Sequence, residues 1–288
     1  MDVYLKDRLW ALFRSLLGAL QWLLMTRGDI ATYVGFLQRH ASNPQIKHVI
    51  FINRVLRWCK RVKTGIYYRK LHPPLCLAVI ADSAYKSNED LTDCLAMRGY
   101  IIAIIGSDTK AGLPARQDAQ TCKYMQLVDF TNTKQRVITR SSFAAELRNA
   151  LDAAHDAIVA AGLLHELMQG TQNPMHMVEL KEAGKFCLPV VLFIDAQAVF
   201  NAACHDDDSS SSDKSMVYHV KALRHLLVTG QVKAIVWIDT RDMLADALTK
   251  GKICRDELNK AFNTGVWQLQ HPYKVWSFHK FSSVSLGL

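Results

Sequence analysis

Two stretches of the sequence, Leu75-Cys76-Leu77-Ala78-Val79-Ile80-Ala81-Asp82 and Val190-Val191-Leu192-Phe193-Ile194-Asp195, decide the predicted fold. Each is a continuous apolar run of strand length that ends in an aspartate. Such runs are typical of buried strands in α/β proteins. An aspartate that ends such a strand lies at the edge of the sheet where α/β proteins commonly bind substrates. The two stretches therefore predict an α/β fold with acidic side chains at one sheet edge.

Strand and helix patterns alternate around these two strands. Further strands or extended segments are predicted at Tyr100 to Ile105, Tyr124 to Phe130, Arg136 to Thr139 and Lys233 to Ile238. Helices are predicted over Phe143 to Met168, Ser215 to Val228 and Asp242 to Lys250. The mixture of both periodicities supports the α/β class.

The first quarter of the chain predicts a small, basic, all-α unit. Apolar residues recur at helical spacing from Asp7 to Met25, a second helix begins at Asp29, and a third runs from Pro44 to about Lys63. Residues 1–75 contain 13 Lys and Arg against 3 acidic residues, whereas the rest of the chain is almost neutral. On the third helix, basic residues share one side: Arg54, Arg57, Lys60 and Arg61. This block favours a polyanionic partner, with a merely solvated helix face as the alternative.

The apolar run from Leu16 to Met25 has about half the length of a membrane-spanning helix, which needs about 20 residues. It is not followed by the small-residue cleavage site of a secretory signal. The seven cysteines are scattered and form no Cys-x-x-Cys pair, which favours reduced thiols over a zinc site. We therefore expect a core helix in an intracellular protein, cytoplasmic or nuclear, that is neither secreted nor bound in a membrane.

The motif Leu71-His72-Pro73-Pro74 marks a predicted domain boundary, because a double proline fits neither a continuing helix nor a central strand. We expect three parts: residues 1–72, residues 73–252 and a C-terminal tail over residues 253–288. The tail contains one short helical stretch and an aromatic-rich segment, and its sequence predicts no role.

Four acidic residues are candidates for one site. Asp82 and Asp195 end the two buried strands, Glu146 lies in the first turn of the long helix, and Asp246 lies among small and apolar neighbours. Each alone has an ordinary structural alternative, such as a turn cap or a glutamate favoured by the helix dipole. Carboxylates that converge repel each other unless cations neutralise them, and such oxygen ligands select magnesium or manganese over zinc. Two such ions about 4 Å apart support phosphodiester hydrolysis.

The order of these elements and acids resembles the ribonuclease H domain, whose active site is an Asp-Glu-Asp-Asp cluster. More narrowly, the chain is similar to the end of the Pol polyprotein of copia-type LTR retrotransposons, over roughly residues 12–252. The matching motifs are Arg98-Gly99-Tyr100, Thr133-Lys134-Gln135, Ser141-Ser142 with Ala145-Glu146, Asp195-Ala196-Gln197 and Leu244-Ala245-Asp246-Ala247-Leu248-Thr249-Lys250. Motifs such as Arg54-Val55-Leu56-Arg57 are similar to the segment that joins reverse transcriptase to ribonuclease H.

This resemblance implies a ribonuclease H-like mixed sheet flanked by helices, preceded by a thumb or connection remnant of reverse transcriptase. It implies hydrolysis of the RNA strand of RNA:DNA hybrids, with magnesium or manganese bound by Asp82, Glu146, Asp195 and Asp246. The implied partner is such a hybrid, or another nucleic acid duplex, which the basic helices would hold by its phosphates. The rest of a Pol polyprotein is a further partner that the resemblance implies.

Three departures from the family pattern keep alternatives open. The chain has no Tyr-x-Asp-Asp motif and should not polymerise DNA, Asp82-Ser83-Ala84 lacks a second aspartate, and Ile238 to Ala245 contains no histidine. The main alternative is a decayed, non-catalytic Pol fragment that binds nucleic acid through its basic helices. A haloacid-dehalogenase-like phosphatase is a weaker alternative, because it needs an aspartate two residues after its nucleophile, and neither Asp82 nor Asp195 has one.

Overall fold

The computed structural model describes residues 7–85, 95–107, 121–205 and 214–278. The chain begins with a helical unit formed by α1 (Asp7–Leu23), α2 (Ala31–Arg39) and α3 (Ile46–Arg61). Its core contains the helically spaced apolar side chains of the three helices, among them Phe13, Leu20, Val34, Leu37 and Ile52. Leu17 and Leu20 of the apolar run near the N-terminus are therefore buried in this core, whereas Trp22 of the same run is 75% exposed. In the part of the chain that the structure describes, no helix has the length and apolar character needed to cross a bilayer.

A buried ion pair fixes the connection between α1 and α2. Asp29 is fully buried, and Arg27 Nε donates to its Oδ1 at 2.8 Å. The Trp58 Nε1 of α3 donates to Asp29 Oδ2 at 2.7 Å, which ties the third helix to the start of the second. A buried carboxylate is tolerated here because its oxygens are bonded.

Within the described ranges of the chain, seven strands form one mixed sheet. They are β1 (His72–Ala84), β2 (Met97–Ser107), β3 (Thr121–Lys134), β4 (Val190–Ile194), β5 (Val232–Trp237), β6 (Val266–Leu269) and β7 (Lys274–Trp276). Their order across the sheet is β6-β3-β2-β1-β4-β5-β7. The central β1 pairs antiparallel with β2 and parallel with β4, and β4 pairs parallel with β5. The sheet is thus antiparallel on one side of β1 and mostly parallel on the other.

Helices cover both faces of the sheet. They are α4 (Ser142–Gln169), α5 (Pro174–Glu182), α6 (Gln197–Cys204), α7 (Val217–Val228), α8 (Asp246–Thr249) and α9 (Asp256–Thr264). Alternate residues of β1 face opposite cores, as the strand period of two requires. Val79 belongs to the core that includes residues of α4, α6 and α7, and Ile80 belongs to the core that includes residues of α8 and α9. The predicted ribonuclease H-like α/β fold, a mixed sheet flanked by helices behind a small all-α unit, is confirmed.

The helical unit lies directly on the second face of the sheet. Ala31 of α2 is buried in the same apolar core as α8 and α9. A Cβ at Gly28 would lie 2.7 Å from Phe262 Cε2, and a Cβ at Gly35 would lie 2.5 Å from Asn132 Oδ1. Glycine at these two positions lets the helical unit approach the sheet more closely than any other residue would allow.

Several local predictions differ from the structure. Pro73 and Pro74 lie inside central strand β1, which begins at His72, because the pairing with β2 is irregular between His72 and Cys76 and requires no donor there. The predicted extended segment at 136–139 is wrong, since β3 ends at Lys134. The C-terminal tail forms α9, β6 and β7, and the two strands lie at opposite edges of the sheet.

The predicted helix over Asp242 to Lys250 is wrong in extent. The structure has a 3-10 turn over Thr240–Asp242 and then the four-residue α8. Asp242 Oδ2 accepts hydrogen bonds from the backbone N–H groups of Gln270 and His271 at 3.1 and 2.9 Å. This contact with the C-terminal segment holds Asp242 outside the helix.

Candidate metal centre

The sheet topology brings two of the predicted acids together. β1 and β4 are parallel neighbours with Ile80 opposite Phe193, so that two residues later Asp82 and Asp195 lie at the same end of the sheet. Asp82 is buried and Asp195 is partly buried. The prediction that both strand-terminal aspartates meet at one sheet edge agrees with this geometry.

Asp246, the first residue of α8, completes a group of three. One carboxylate oxygen from each of Asp82, Asp195 and Asp246 lies within 4.8 Å of the other two. These are oxygen ligands at a spacing that can hold a divalent metal ion. Among the described residues, this cluster is therefore a candidate metal centre built from three elements that are far apart in the sequence.

Glu146 lies beside this cluster but is not one of its three closest acids. Ser141 caps α4 by accepting a hydrogen bond from the Ala144 N–H at 3.1 Å, which starts the helix near the end of β1. Glu146 Oε2 then accepts the backbone N–H of Ser83 at 3.1 Å. The fourth predicted acid is thus at the edge of the site, bonded to the residue that follows Asp82.

Burial and mutual repulsion raise the pKa of all four carboxyl groups. Burial, followed by the charge of Asp246, raises the pKa of Asp82 to about 6. Burial and the charges of Asp82 and Asp195 raise the pKa of Glu146 to about 9. The pKa values of Asp195 and Asp246 are also raised, mainly by burial. The site therefore lacks sufficient positive charge for four ionised carboxylates, which is the property expected of a cation site.

Lys250 supplies positive charge inside the cluster. Its Nζ donates to Asp246 Oδ1 and lies 3.5 Å from Asp82 Oδ1. Although burial opposes the charged amine, the neighbouring carboxylates raise the pKa of Lys250. Thr249 Oγ1 donates to the other oxygen of Asp82. An ammonium group thus lies where a metal ion would also be attracted.

Neutral polar side chains hold the backbone around the acids. Asn149 Nδ2 of α4 donates to the carbonyl oxygens of Asp82 at 2.7 Å and Gly99 at 3.1 Å. A Cβ at Gly99 would lie 2.7 Å from Thr249 Cγ2, so glycine at this position of β2 permits the close approach of α8. Trp237 Nε1 donates to the Asp195 carbonyl oxygen at 2.8 Å.

Sequence reasoning singled out the four acids but missed Lys250, Thr249 and Asn149. A signal for Lys250 was present, because it follows Asp246 by four residues, the spacing at which an acid and a lysine meet on a helix. Thr249 is in the same motif. Asn149 carried no signal that separates it from any other polar residue of a long helix.

The predicted basic residues form a separate surface on α3. Arg54, Arg57, Lys60 and Arg61 are all exposed. The three arginines and Trp58 line a shallow cleft of about 270 Å³. The Arg61 guanidinium lies over the Trp58 ring, 5.4 Å from its centroid. The surface thus combines fixed positive charge with an aromatic side chain.

Comparison with known proteins yields two similar sequences. The chain is 24% identical over 238 residues to the retrovirus-related Pol polyproteins from transposons RE1 and RE2 of Arabidopsis thaliana. The match covers 83% of this chain and 14% of each relative, so the chain spans about a seventh of their length. No protein-family model matches the chain, and no solved structure matches it. The similarity supports an origin of this chain in a retrotransposon Pol polyprotein.

Proposed function

We propose that this protein is a ribonuclease H of retrotransposon origin, which hydrolyses the RNA strand of RNA:DNA hybrids with two magnesium or manganese ions. The observation that carries the proposal is the convergence of Asp82, Asp195 and Asp246 within 4.8 Å, with Glu146 beside them. The similarity to transposon Pol polyproteins supports it. The polymerase motif is absent from the sequence, so the proposal includes no DNA synthesis.

The donor set fits hard divalent cations, because it consists of carboxylate oxygens, and because burial and the neighbouring carboxylates disfavour the ionised forms of these groups. Asp82, Asp195, Asp246 and Glu146 would hold the ions, which when bound activate a water and stabilise the leaving oxygen of a phosphodiester. Glu146 retains its carboxyl proton at neutral pH until the site gains positive charge. Asn149 and Trp237 keep the strand ends in place through backbone carbonyls.

The proposal is tested on a hybrid with one labelled strand. Purified protein with magnesium should cut the RNA strand and leave the DNA strand intact, and EDTA should stop the reaction. A hybrid that stays intact with either magnesium or manganese, under conditions in which a known ribonuclease H cuts it, would contradict the proposal.

The raised pKa of Glu146 predicts a pH-dependent stability of the metal-free protein. The unfolded chain releases this proton near pH 4.5, whereas the folded chain releases it near pH 9. The contribution of this carboxyl group to the free energy of unfolding is therefore fully present below pH 4.5 and is lost as the pH rises toward 9. Glu146→Gln removes this loss, and we expect it to raise the free energy of unfolding at pH 8 by about 4 kcal/mol relative to its effect at pH 5.

Urea denaturation in EDTA at the two pH values measures this difference. Glu166→Gln is the matched control, because Glu166 lies near the other end of α4 and its carboxylate accepts the Gln172 N–H at 3.4 Å. If the free energy of unfolding of both variants depended on pH as that of the wild-type protein does, Glu146 would not be the group whose ionisation is opposed by burial and by the neighbouring carboxylates.

The exposed arginines of α3 predict electrostatic binding of a duplex. Replacing Arg54, Arg57 and Arg61 with glutamine should weaken binding of an RNA:DNA hybrid and reduce the slope of log K against log salt concentration by about 3, or one for each lost phosphate contact. Fluorescence anisotropy over a range of salt concentrations measures both quantities. The same triple replacement at Lys181, Lys185 and Lys260, exposed cations of α5, its following loop and α9, is the control for net charge.

This surface also favours the second candidate function, a non-catalytic fragment that binds nucleic acid. That function predicts salt-sensitive binding that survives replacement of all four acids, together with no cleavage by the wild-type protein. Equal losses of binding in the arginine and lysine variants would contradict a specific role for the α3 surface in both functions.

A further inference from the structure

The C-terminal end of α8, the helix that carries Asp246, is held by the N-terminal helical unit. Thr32 Oγ1 of α2 donates to the Leu248 carbonyl oxygen at 2.7 Å and lies 3.0 Å from that of Ala247. The neighbouring Tyr33 hydroxyl donates to the Gly251 carbonyl oxygen at 3.2 Å. These contacts join residues that lie 215 to 218 positions apart in the sequence.

α8 needs such external partners because it is only four residues long. A helix of this length leaves nearly all its carbonyl groups without partners in the helix, and it is too short to be stable by itself. At the C-terminal end of α8, the N–H of the capping residue Lys250 donates to the Asp246 carbonyl oxygen at 2.9 Å. Asn132 Nδ2 adds a second donor to the Leu248 carbonyl. The position of Asp246 is therefore set by side chains outside its own helix.

Arg255 connects the same parts from the other side of α8. Its Nη2 donates to the Lys250 carbonyl oxygen at 3.0 Å, and its guanidinium lies 4.4 Å from the centroid of the Tyr33 ring. The close packing of Gly35 against Asn132 holds α2 over this region. α2 thus cannot shift along the sheet without changing the bonds that orient α8.

We propose that Thr32 is a positioning residue of the metal centre, which acts through the backbone of α8 to hold Asp246 beside Asp82 and Asp195. The helical unit is then a structural part of this centre as well as a carrier of basic residues. The effect on metal binding rests on the proposed function, whereas the effect on the order of α8 does not.

Thr32→Val, which keeps the side-chain shape and removes the donor, tests the inference in the full-length protein. Hydrogen exchange measured by mass spectrometry should show at least tenfold faster exchange of the Leu248 and Lys250 amides, because both close the α8 turn. Titration with Mn²⁺ by calorimetry should show an affinity about tenfold lower than that of the wild-type protein, the size of effect typical of residues that orient metal ligands. Thr32→Ser should restore both values.

Thr64→Val is the matched control. Thr64 Oγ1 also joins the N-terminal part to the C-terminal part, by a 2.9 Å hydrogen bond to Asn263 Oδ1, but it does not contact α8. In the Thr64→Val protein, hydrogen exchange in α8 and the affinity for Mn²⁺ should equal those of the wild-type protein. Tyr33→Phe is the second variant, should Thr32→Val fold poorly, and should raise exchange in the same peptide.

Unchanged exchange of α8 in both Thr32→Val and Tyr33→Phe would overturn the inference. Equal effects of Thr64→Val and Thr32→Val would also overturn it, since they would indicate general destabilisation. Absence of Mn²⁺ binding by the wild-type protein would instead contradict the proposed function, and the exchange data would still decide whether Thr32 orders α8.

Discussion

Asp195→Asn is expected to lower the magnesium-dependent rate of RNA-strand cleavage by about a thousandfold. The replacement keeps the size of the side chain but removes one of the three converging negative charges that can hold a metal ion. The fold should be retained, because the hydrogen bond from Trp237 is made to the backbone carbonyl of Asp195. Initial rates on a labelled RNA:DNA hybrid at saturating magnesium measure the loss.

Asp152→Asn is the control for the loss of one acidic charge. Asp152 is an exposed acid of α4 that pairs with Arg98 outside the cluster. The Asp152→Asn protein should cleave the RNA:DNA hybrid at nearly the wild-type rate. Cleavage by Asp195→Asn at the rate of Asp152→Asn would show that the acid cluster is not the catalytic centre.

Lys250→Met is expected to lower the free energy of unfolding of the metal-free protein by about 2 kcal/mol at pH 8. The Lys250 ammonium bonds Asp246 and lies 3.5 Å from Asp82, so its removal leaves buried carboxylates without this counter-charge. Such losses reach about 3–5 kcal/mol for fully buried pairs, and the value is smaller here because the Lys250 side chain is 35% exposed. Chemical denaturation in EDTA measures the change.

The same variant should respond more strongly to divalent ions. An ion that enters the site no longer competes with the ammonium group for Asp246, so Mn²⁺ should raise the melting temperature of Lys250→Met more than that of the wild-type protein. Lys252→Met, at an exposed position two residues later, is the control and should leave both measurements unchanged. A Lys250→Met protein as stable as Lys252→Met would contradict the role given to this ammonium group.

The acids were predictable where local sequence determines their position. Asp82 and Asp195 each follow an apolar run that is typical of a buried strand, and parallel pairing of β1 with β4 places both at one end of the sheet. Glu146 was predictable to a lesser degree, because its place near the start of the predicted long helix gives the element but not the contact with the Ser83 N–H. The roles of these residues stay predictions.

The features that sequence did not predict depend on contacts between distant segments. The contact of Lys250 with Asp82 depends on the orientation of α8, which is bonded by Thr32, more than 200 residues earlier in the chain. The helix predicted from Asp242 starts later, because Asp242 bonds backbone groups of the C-terminal segment instead. Local periodicity contains no information on either contact, so patterns of apolar spacing give the elements but not the geometry of the site.

The last two strands of the described chain determine what a shortened product would expose. β6 pairs with β3 and β7 pairs with β5, so the C-terminal segment covers both lateral edges of the sheet. A product that stopped before residue 266 would present two rows of unpaired backbone donors and acceptors, each able to recruit a strand from another molecule. We expect such products to aggregate during expression, even though every acid of the candidate centre precedes the truncation.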